Sequence, residues 1–478
     1  MSAIRTLALA SLMAGTTLTI ATNAFSQSAD KDELLTLPTS KENIAAGLEA
    51  DAYQTGLSAY VWGYPLVRME RVAREYSDVP DPKPATSYRA PVNRIGWATS
   101  LATPDAKDMP TANNDTLYLS AVVDLGKQPF ILHVPNTNDR YYVVDVFDMW
   151  QNLEHYVGRR STGTKAGDYA LVPPGWKGQL PKGVKRLDVG TDKVWLWGRL
   201  RVNQGEDMGP LVKLQQQFTL RPLKEWKNSG YVAADTKLPD MPDTGDDPLG
   251  FYKQLAFALK SNAVPPQDAA LFGQFARFGL TKDGFDDSKL SQQQRDALAR
   301  ALKDGPKVAV SAISSSGTER NGWSWVRGLD DFGYTYPLRA LVAGPYLGGQ
   351  GEKEAMYPLR STDSKGDQLD GNKKYIIHFV KAPPVNAFWS LTVYNAADKM
   401  LIENPIQRYK LGTDTKGLKV NADGSFDVPL QSTKPDSEFA ANWLPAPAGP
   451  FYMILRLYQP KEEVLSGKYD LPQVDPAQ

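Results

Sequence analysis

Short runs of β-branched and aromatic residues, in two groups separated by a stretch of helical period, limit the folds open to this chain most strongly. The first group is Thr116–Val123, Phe130–Val134, Tyr141–Phe147, Tyr169–Val172 and Val194–Val202, with turn clusters such as Pro135-Asn136-Thr137-Asn138 and Pro173-Pro174-Gly175 between them. The second is Tyr375–Val380, Phe388–Tyr394, Phe426–Pro429 and Phe451–Tyr458. Closely spaced strands without intervening helices pair antiparallel, because parallel neighbours need long crossovers. The chain therefore reads as mainly β with a helical segment: two antiparallel β-sandwich or barrel domains joined by helices. The joining helices are predicted at Met208–Leu220, Pro248–Ser261, Pro266–Phe278 and Ser288–Lys303. A further amphipathic pattern over Ile44–Tyr76 predicts an N-terminal helix, bent or interrupted near Pro65.

The N-terminus carries a different signal. Arg5, an apolar run from Leu7 to Ile20 and Ala24-Phe25-Ser26 ahead of Gln27 have the layout of a secretory signal peptide cleaved near Ser26. The run is shorter than the roughly 20 apolar residues a membrane span requires. The expected organisation is a signal peptide at 1–26, a flexible leader at 27–45 and a helix with the first β domain at 46–205. A helical connecting segment follows at 206–330, then the second β domain at 331–462 and a tail at 463–478. The mature chain is expected to be periplasmic or secreted and without stable membrane insertion.

Several function classes drop out on composition. With no cysteine in 478 residues there are no disulfides, thiolate metal sites or cysteine nucleophiles. Lys and Arg together number 54, as do Asp and Glu, so bulk charge gives no case for nucleic acid as a partner. No Walker, G-x-S-x-G or H-E-x-x-H string occurs, and nothing calls for a cofactor or a metal.

Two stretches resemble known families. Asn113-Asn114-Asp115-Thr116-Leu117-Tyr118, Val123-Asp124-Leu125, Arg140-Tyr141-Tyr142, Gly163–Tyr169 and Pro174-Gly175-Trp176-Lys177-Gly178 are similar to the bacterial family called domain of unknown function 1254. Asn321-Gly322-Trp323, Leu369-Asp370-Gly371, Pro383–Thr392, Asn404-Pro405-Ile406, Asn442–Pro445 and Arg456-Leu457-Tyr458 resemble domain of unknown function 1214. One departure is Asn113-Asn114, where the usual string has Pro-Asn. The resemblance implies an exported, β-rich chain, immunoglobulin-like and then jelly-roll-like, and supplies no agreed reaction.

Only His133, His155 and His378 could serve as imidazole bases. His133 and His378 fall inside strand runs, where packing is the ordinary role. His155 is predicted just beyond a strand end, where scaffolds usually present chemistry, with Asp148 as its acid/base partner. Asp145 alternates onto the face opposite Asp148 and reads more readily as the partner of a loop or an arginine. Asn113–Thr116 suits an Asx turn and a polar ligand clamp equally.

The most informative patterns are mixed faces. Trp195, Trp197, Arg199 and Arg201 alternate with aliphatic residues on one strand; Tyr452, Ile454, Arg456 and Tyr458 do so on another. Such surface belongs to an interface or a ligand wall. The reading is an exported protein that binds a small organic or saccharide ligand, with or without turnover, at the junction of its β domains. Asn114, Asp115 and Tyr118 are the polar anchors, Arg456 holds an anionic or carbonyl group, and Trp389 or Tyr394 offers a flat face. The alternative is a non-catalytic cell-envelope protein, a homo-oligomer joined through Trp195, Trp197, Tyr452 and Tyr458. A divalent metal held by His155 and nearby carboxylates is a third reading.

Overall fold

The computed structural model describes residues 34, 37–79, 87–107, 110–126, 128–436 and 438–477. The expected signal peptide lies outside the described residues, as do residues 27–33, 35 and 36 of the leader. Lys41–Ala45, expected as leader, instead open helix α1 (Lys41–Ser77), where the Ser40 hydroxyl caps the first turn by accepting from the Asn43 amide. The helix runs unbroken through Pro65. Its buried stripe includes Ala52, Ala59, Leu66, Met69 and Ala73. Glycines on that stripe let neighbouring helices approach: a Cβ on Gly63 would meet Leu255 at 2.4 Å, and one on Gly56 would meet Leu298 at 2.6 Å.

The first group of strands is β1 (Gly96–Trp97), β2 (Thr116–Asp124), β3 (Phe130–Val134), β4 (Tyr142–Asp148), β5 (Leu153–Gly158), β6 (Gly167–Val172), β7 (Lys185–Asp188) and β8 (Lys193–Arg201). After α2 (Met208–Gln215), strand β9 (Thr219–Pro222) returns to pair with β3. Two open sheets result, ordered β1-β2-β8-β4-β5 and β7-β6-β3-β9. All pairs are antiparallel except β6–β7. Leu117, Leu119 and Ala121 of β2 and Val144 and Val146 of β4 meet Leu132, Val134 and Leu171 in one core between the sheets.

The connecting region holds α3 (Gly250–Ser261), short helical turns over 266–278 and α4 (Gln292–Ser311). These pack on α1 around Trp62, Tyr252, Phe275 and Leu298. The region then supplies strands to the second half: β10 (Gly317–Arg320), β11 (Trp323–Val326), and, after α5 (Tyr336–Ala343), β12 (Ala355–Met356) and β13 (Leu359–Arg360). The remaining strands are β14 (Tyr375–Phe379), β15 (Val385–Asn395), β16 (Lys410–Gly412), β17 (Phe426–Gln431), β18 (Leu444–Pro445), β19 (Phe451–Pro460) and β20 (Gln473–Pro476). They form an open sheet β10-β11-β13-β19-β15-β16, with β12 also on β19, and a second sheet β18-β17-β14-β20. Ile377, Phe379, Leu391, Val428, Met453 and Leu455 fill the core between them. Neither pair of sheets closes into a barrel, so the barrel expectation is replaced by stacked open sheets. Among the described residues, no helix is long and apolar enough to cross a membrane.

Candidate functional site

The outer face of the β2-β8-β4-β5 sheet and the outer face of the β15-β19 sheet lie against one another within this one chain. Strand alternation puts the Leu and Val side chains of each sheet in its own core and leaves Tyr, Trp and Arg for the junction. Tyr141 of the first half stands edge-on to Phe388 at 5.2 Å and packs on Tyr458 at 5.5 Å. Phe388 and Tyr458 stack at 4.0 Å, and the Arg201 guanidinium lies 3.7 Å over the Phe388 ring. The two mixed faces read from the sequence are thus partners. Tyr452 and Tyr458 are buried at this junction, while Trp195 and Trp197 are buried against Tyr76 of α1 and Tyr88, so the surface expected to join subunits is consumed inside the chain.

A network of buried charge crosses the junction. Arg199 donates to Asp145 at 2.8 Å and to the Gly348 carbonyl at 3.0 Å. Gln350 donates to both Asp145 oxygens at 2.9 Å and accepts from the Tyr357 hydroxyl at 2.9 Å. Burial dominates the titration of Asp145 and holds its carboxyl up at about 7 despite Arg199 and Gln350. Asp115 behaves in the opposite sense. Its burial, which alone would raise the carboxyl, is more than offset by the Lys410 ammonium and by hydrogen bonds from Lys410 and Ser390, so its pKa is lowered.

The predicted anchors divide into three sets. Asp115 accepts from Lys410 at 2.7 Å and from Ser390 at 2.6 Å, both on the second half. Tyr118 stacks on Trp197 at 4.8 Å, and its hydroxyl accepts from the Asn113 amide and side chain. Tyr394 stacks on Tyr452, donates to the Ala112 carbonyl and lies under the Arg456 guanidinium. These four, Asp115, Tyr118, Tyr394 and Arg456, meet at the junction. Asn114 sits beside them but spends its amide on the Ala102 carbonyl at 2.6 Å. Asn113 is the Asx-turn residue: its carbonyl oxygen accepts from the Asp115 and Thr116 amides, both at 2.9 Å.

Trp389 lies elsewhere. It points into the second core against Phe379 and Phe426, because it occupies the opposite parity of β15 from Tyr394. His155 and Asp148 do not form a pair either. His155 is inside β5 rather than in a loop, opposite Val146, with Nε2 donating to the Asp188 carbonyl at 2.6 Å. Asp148 closes the β4–β5 turn by accepting from the Trp150 amide and from the amide and side chain of Asn152, each at 2.8 Å. Its carboxylate neighbour is Glu154, which burial and Asp148 push up to about 8. His133 and His378 form cross-strand pairs with Asp168 and Asp427. Among the described residues, no group of three or more His, Asp and Glu gathers as a metal site.

What the sequence reading missed is the contribution of residues 348–357: Gly348, Gln350, Glu354 and Tyr357 enter from an irregular stretch with no strand or helix signal. Around the junction, the buried side-chain atoms without a hydrogen-bond partner include Arg456 Nη1, Tyr458 Oη and Thr392 Oγ1. They share one sheet face, since Ser390 pairs with Arg456, Thr392 with Ile454 and Phe388 with Tyr458. An open cleft of about 700 Å³ lies against the same junction, lined by Arg140, Tyr141, Arg159, Arg201, Asn386 and Phe388 among others.

Comparison with known proteins agrees with this layout. The family model described as "Protein of unknown function (DUF1254)" matches residues 92–222, and "Protein of unknown function (DUF1214)" matches residues 354–462. No curated protein matches the chain. The crystal structure of the VPA0106 protein from Vibrio parahaemolyticus has a similar fold, with a TM-score of 0.68 at 24% identity over 89% of this chain and 100% of that one. An uncharacterized protein from Burkholderia cenocepacia aligns at 13% identity with a TM-score of 0.42, over 91% and 95% of the two chains. The chain thus belongs with the proteins that carry a DUF1254 domain followed by a DUF1214 domain.

Proposed function

We propose that the mature protein works outside the cytoplasm, periplasmic or secreted, and binds a small organic or saccharide ligand at the junction of its two β domains. The signal-peptide-like layout of the sequence over residues 1–26 supports the location. We read the stacked sheets as an immunoglobulin-like and a jelly-roll-like sandwich. One observation carries the binding proposal: unpartnered polar atoms of Arg456, Tyr458 and Thr392 gather on one buried face of the junction. Buried polar groups are normally satisfied by protein, water or ligand, so such a cluster is what a removable guest would leave. Tyr141 and Phe388 line the open cleft and also pack on Tyr458, so the cleft lies next to this interior.

The alternative of an envelope oligomer loses its aromatic surface, which is used within the chain. The test is a thermal-shift and turnover screen of the purified chain from Gln27 onward against small organic acids, amides, alcohols and sugars. A hit whose shift is abolished by substitution at Tyr458 or Arg456 supports the proposal. A broad panel without a single shift or turnover overturns it.

A further inference from the structure

We infer that the junction takes an organic acid: Arg456 and Tyr458, neighbours on one face of β19, form a subsite for one carboxylate group. This rests on the binding proposal above and narrows it, since a neutral sugar would not meet the requirement described here. The reason is charge accounting. Arg199 is paired with Asp145 at 2.8 Å, Lys410 with Asp115 at 2.7 Å, Arg201 with Asp414 at 3.4 Å and Arg160 with Glu354 at 2.5 Å. Each basic side chain that enters the junction thus has its own carboxylate. Arg456 is the exception. It is only 4% exposed, its Nη2 donates to the Thr111 carbonyl at 2.8 Å, and among the described residues no carboxylate lies within ion-pair distance of it. Asp115 is the carboxylate that acts on it most, and that group is already held by Lys410 and Ser390.

A guanidinium stays protonated in proteins and so remains a net positive charge in this dry interior. Buried charges are ordinarily paired, and a lone one signals a missing counter-ion. The groups beside it fit a carboxylate. Arg456 Nη1 is a donor only, and the Tyr458 hydroxyl can turn a hydrogen outward, which gives two donors for an acceptor-only group. They stand two residues apart on one face of β19. The Tyr394 ring lies 5.5 Å from the guanidinium, and Tyr118 adds a second aromatic wall nearby, so the body of the acid meets flat apolar surface.

The experiment is isothermal titration of the purified chain with acetate, benzoate and glucuronate, each against a neutral counterpart: acetamide, benzamide and glucose. The inference expects at least one acid to bind and its neutral counterpart to bind roughly 10- to 100-fold more weakly, the ratio typical of a hydrogen-bonded charged group. Arg456→Met should abolish acid binding, Arg456→Lys should keep part of it, and Tyr458→Phe should weaken it while leaving the fold intact by circular dichroism. If a neutral probe binds as tightly as its acid and Arg456→Met leaves that binding unchanged, the carboxylate subsite is wrong although the junction still binds ligand. If none of the six binds at millimolar concentration, the organic-acid inference falls, and the broader screen decides the binding proposal separately.

Discussion

Asp115 ties the two halves together, and its removal gives the most discriminating test of the junction. The Asp115 carboxylate is 1% exposed and receives the Lys410 ammonium at 2.7 Å and the Ser390 hydroxyl at 2.6 Å. Asp115→Asn keeps the shape and one acceptor for Ser390, but leaves the Lys410 ammonium, 12% exposed, without its charge partner. Breaking a buried pair by removing one member costs about 3–5 kcal/mol. The residual exposure of Lys410 and the retained acceptor put Asp115→Asn near the lower end, about 3 kcal/mol. Lys410→Met in the same chain removes the orphaned charge and should recover about 2 kcal/mol of that loss.

The assay is denaturant unfolding followed by tryptophan fluorescence and circular dichroism, with coincidence of the two probes checked before free energies are compared. The pH dependence adds a second readout. Asp115 has a depressed folded pKa, so its contribution is fully present above the unfolded value of about 3.9 and is lost as pH falls through the lower folded value. The Asp115→Asn defect should therefore be constant from about pH 5 to 8 and shrink below about pH 4. A coupling energy between the two sites below about 0.5 kcal/mol, the level of an exposed pair, would refute the claim that this link is buried and structural.

Other consequences follow from the same geometry. Glu154 has a raised pKa, so its ionisation opposes folding: stability should fall as pH rises from about 4.3 towards 8, and Glu154→Gln, which keeps an acceptor for the Gly190 amide, should flatten that part of a melting-temperature profile. Trp389→Ala should cost about 3–5 kcal/mol in chemical denaturation while leaving any junction ligand's affinity unchanged, because the ring belongs to the second core. Gly348→Ala should destabilise by about 1–3 kcal/mol, since the residue has a φ of +71° and a Cβ there would meet the Trp197 ring at 2.8 Å. A tolerated substitution at full stability would show that the 348–357 stretch does not seat as described.

The strands that the sequence revealed are those whose apolar residues recur with period two; β2, β3, β8, β15 and β19 fall within a few residues of their expected ends. The elements it hid are short or polar. β5 carries Glu154 and His155 where alternation should show apolar residues, so His155 read as a loop residue, and β9 and β20 are four-residue strands ending in proline. Helix α1 survives Pro65 because tertiary packing of its buried stripe outweighs the one missing donor. The site was legible as faces and not as a place. Trp389 and Tyr394 both look like flat walls in the sequence, yet an odd spacing puts them on opposite sides of any regular strand, and β15 obeys that rule.

The pairing of the two mixed faces gives each half a use for the surface that its own core leaves uncovered. Each sheet pair buries its aliphatic face internally and is left with Tyr, Trp and Arg on a surface too apolar for water and too polar for a dry core. Closing the two surfaces on one another solves most of this: rings stack, and each arginine of the junction but Arg456 is paired with a carboxylate. The arrangement also makes the site a property of the contact and of neither sheet alone, because Asp115 takes its partners from the second half and Arg456 donates to the Thr111 carbonyl of the first. A lone guanidinium at the centre of such a contact weakens it when empty and strengthens it when neutralised. Ligand binding and cohesion of the two halves should therefore rise together: an acid that occupies the Arg456 subsite should raise the midpoint of unfolding for both halves at once, and an acid that stabilises only one half would place its site outside the junction.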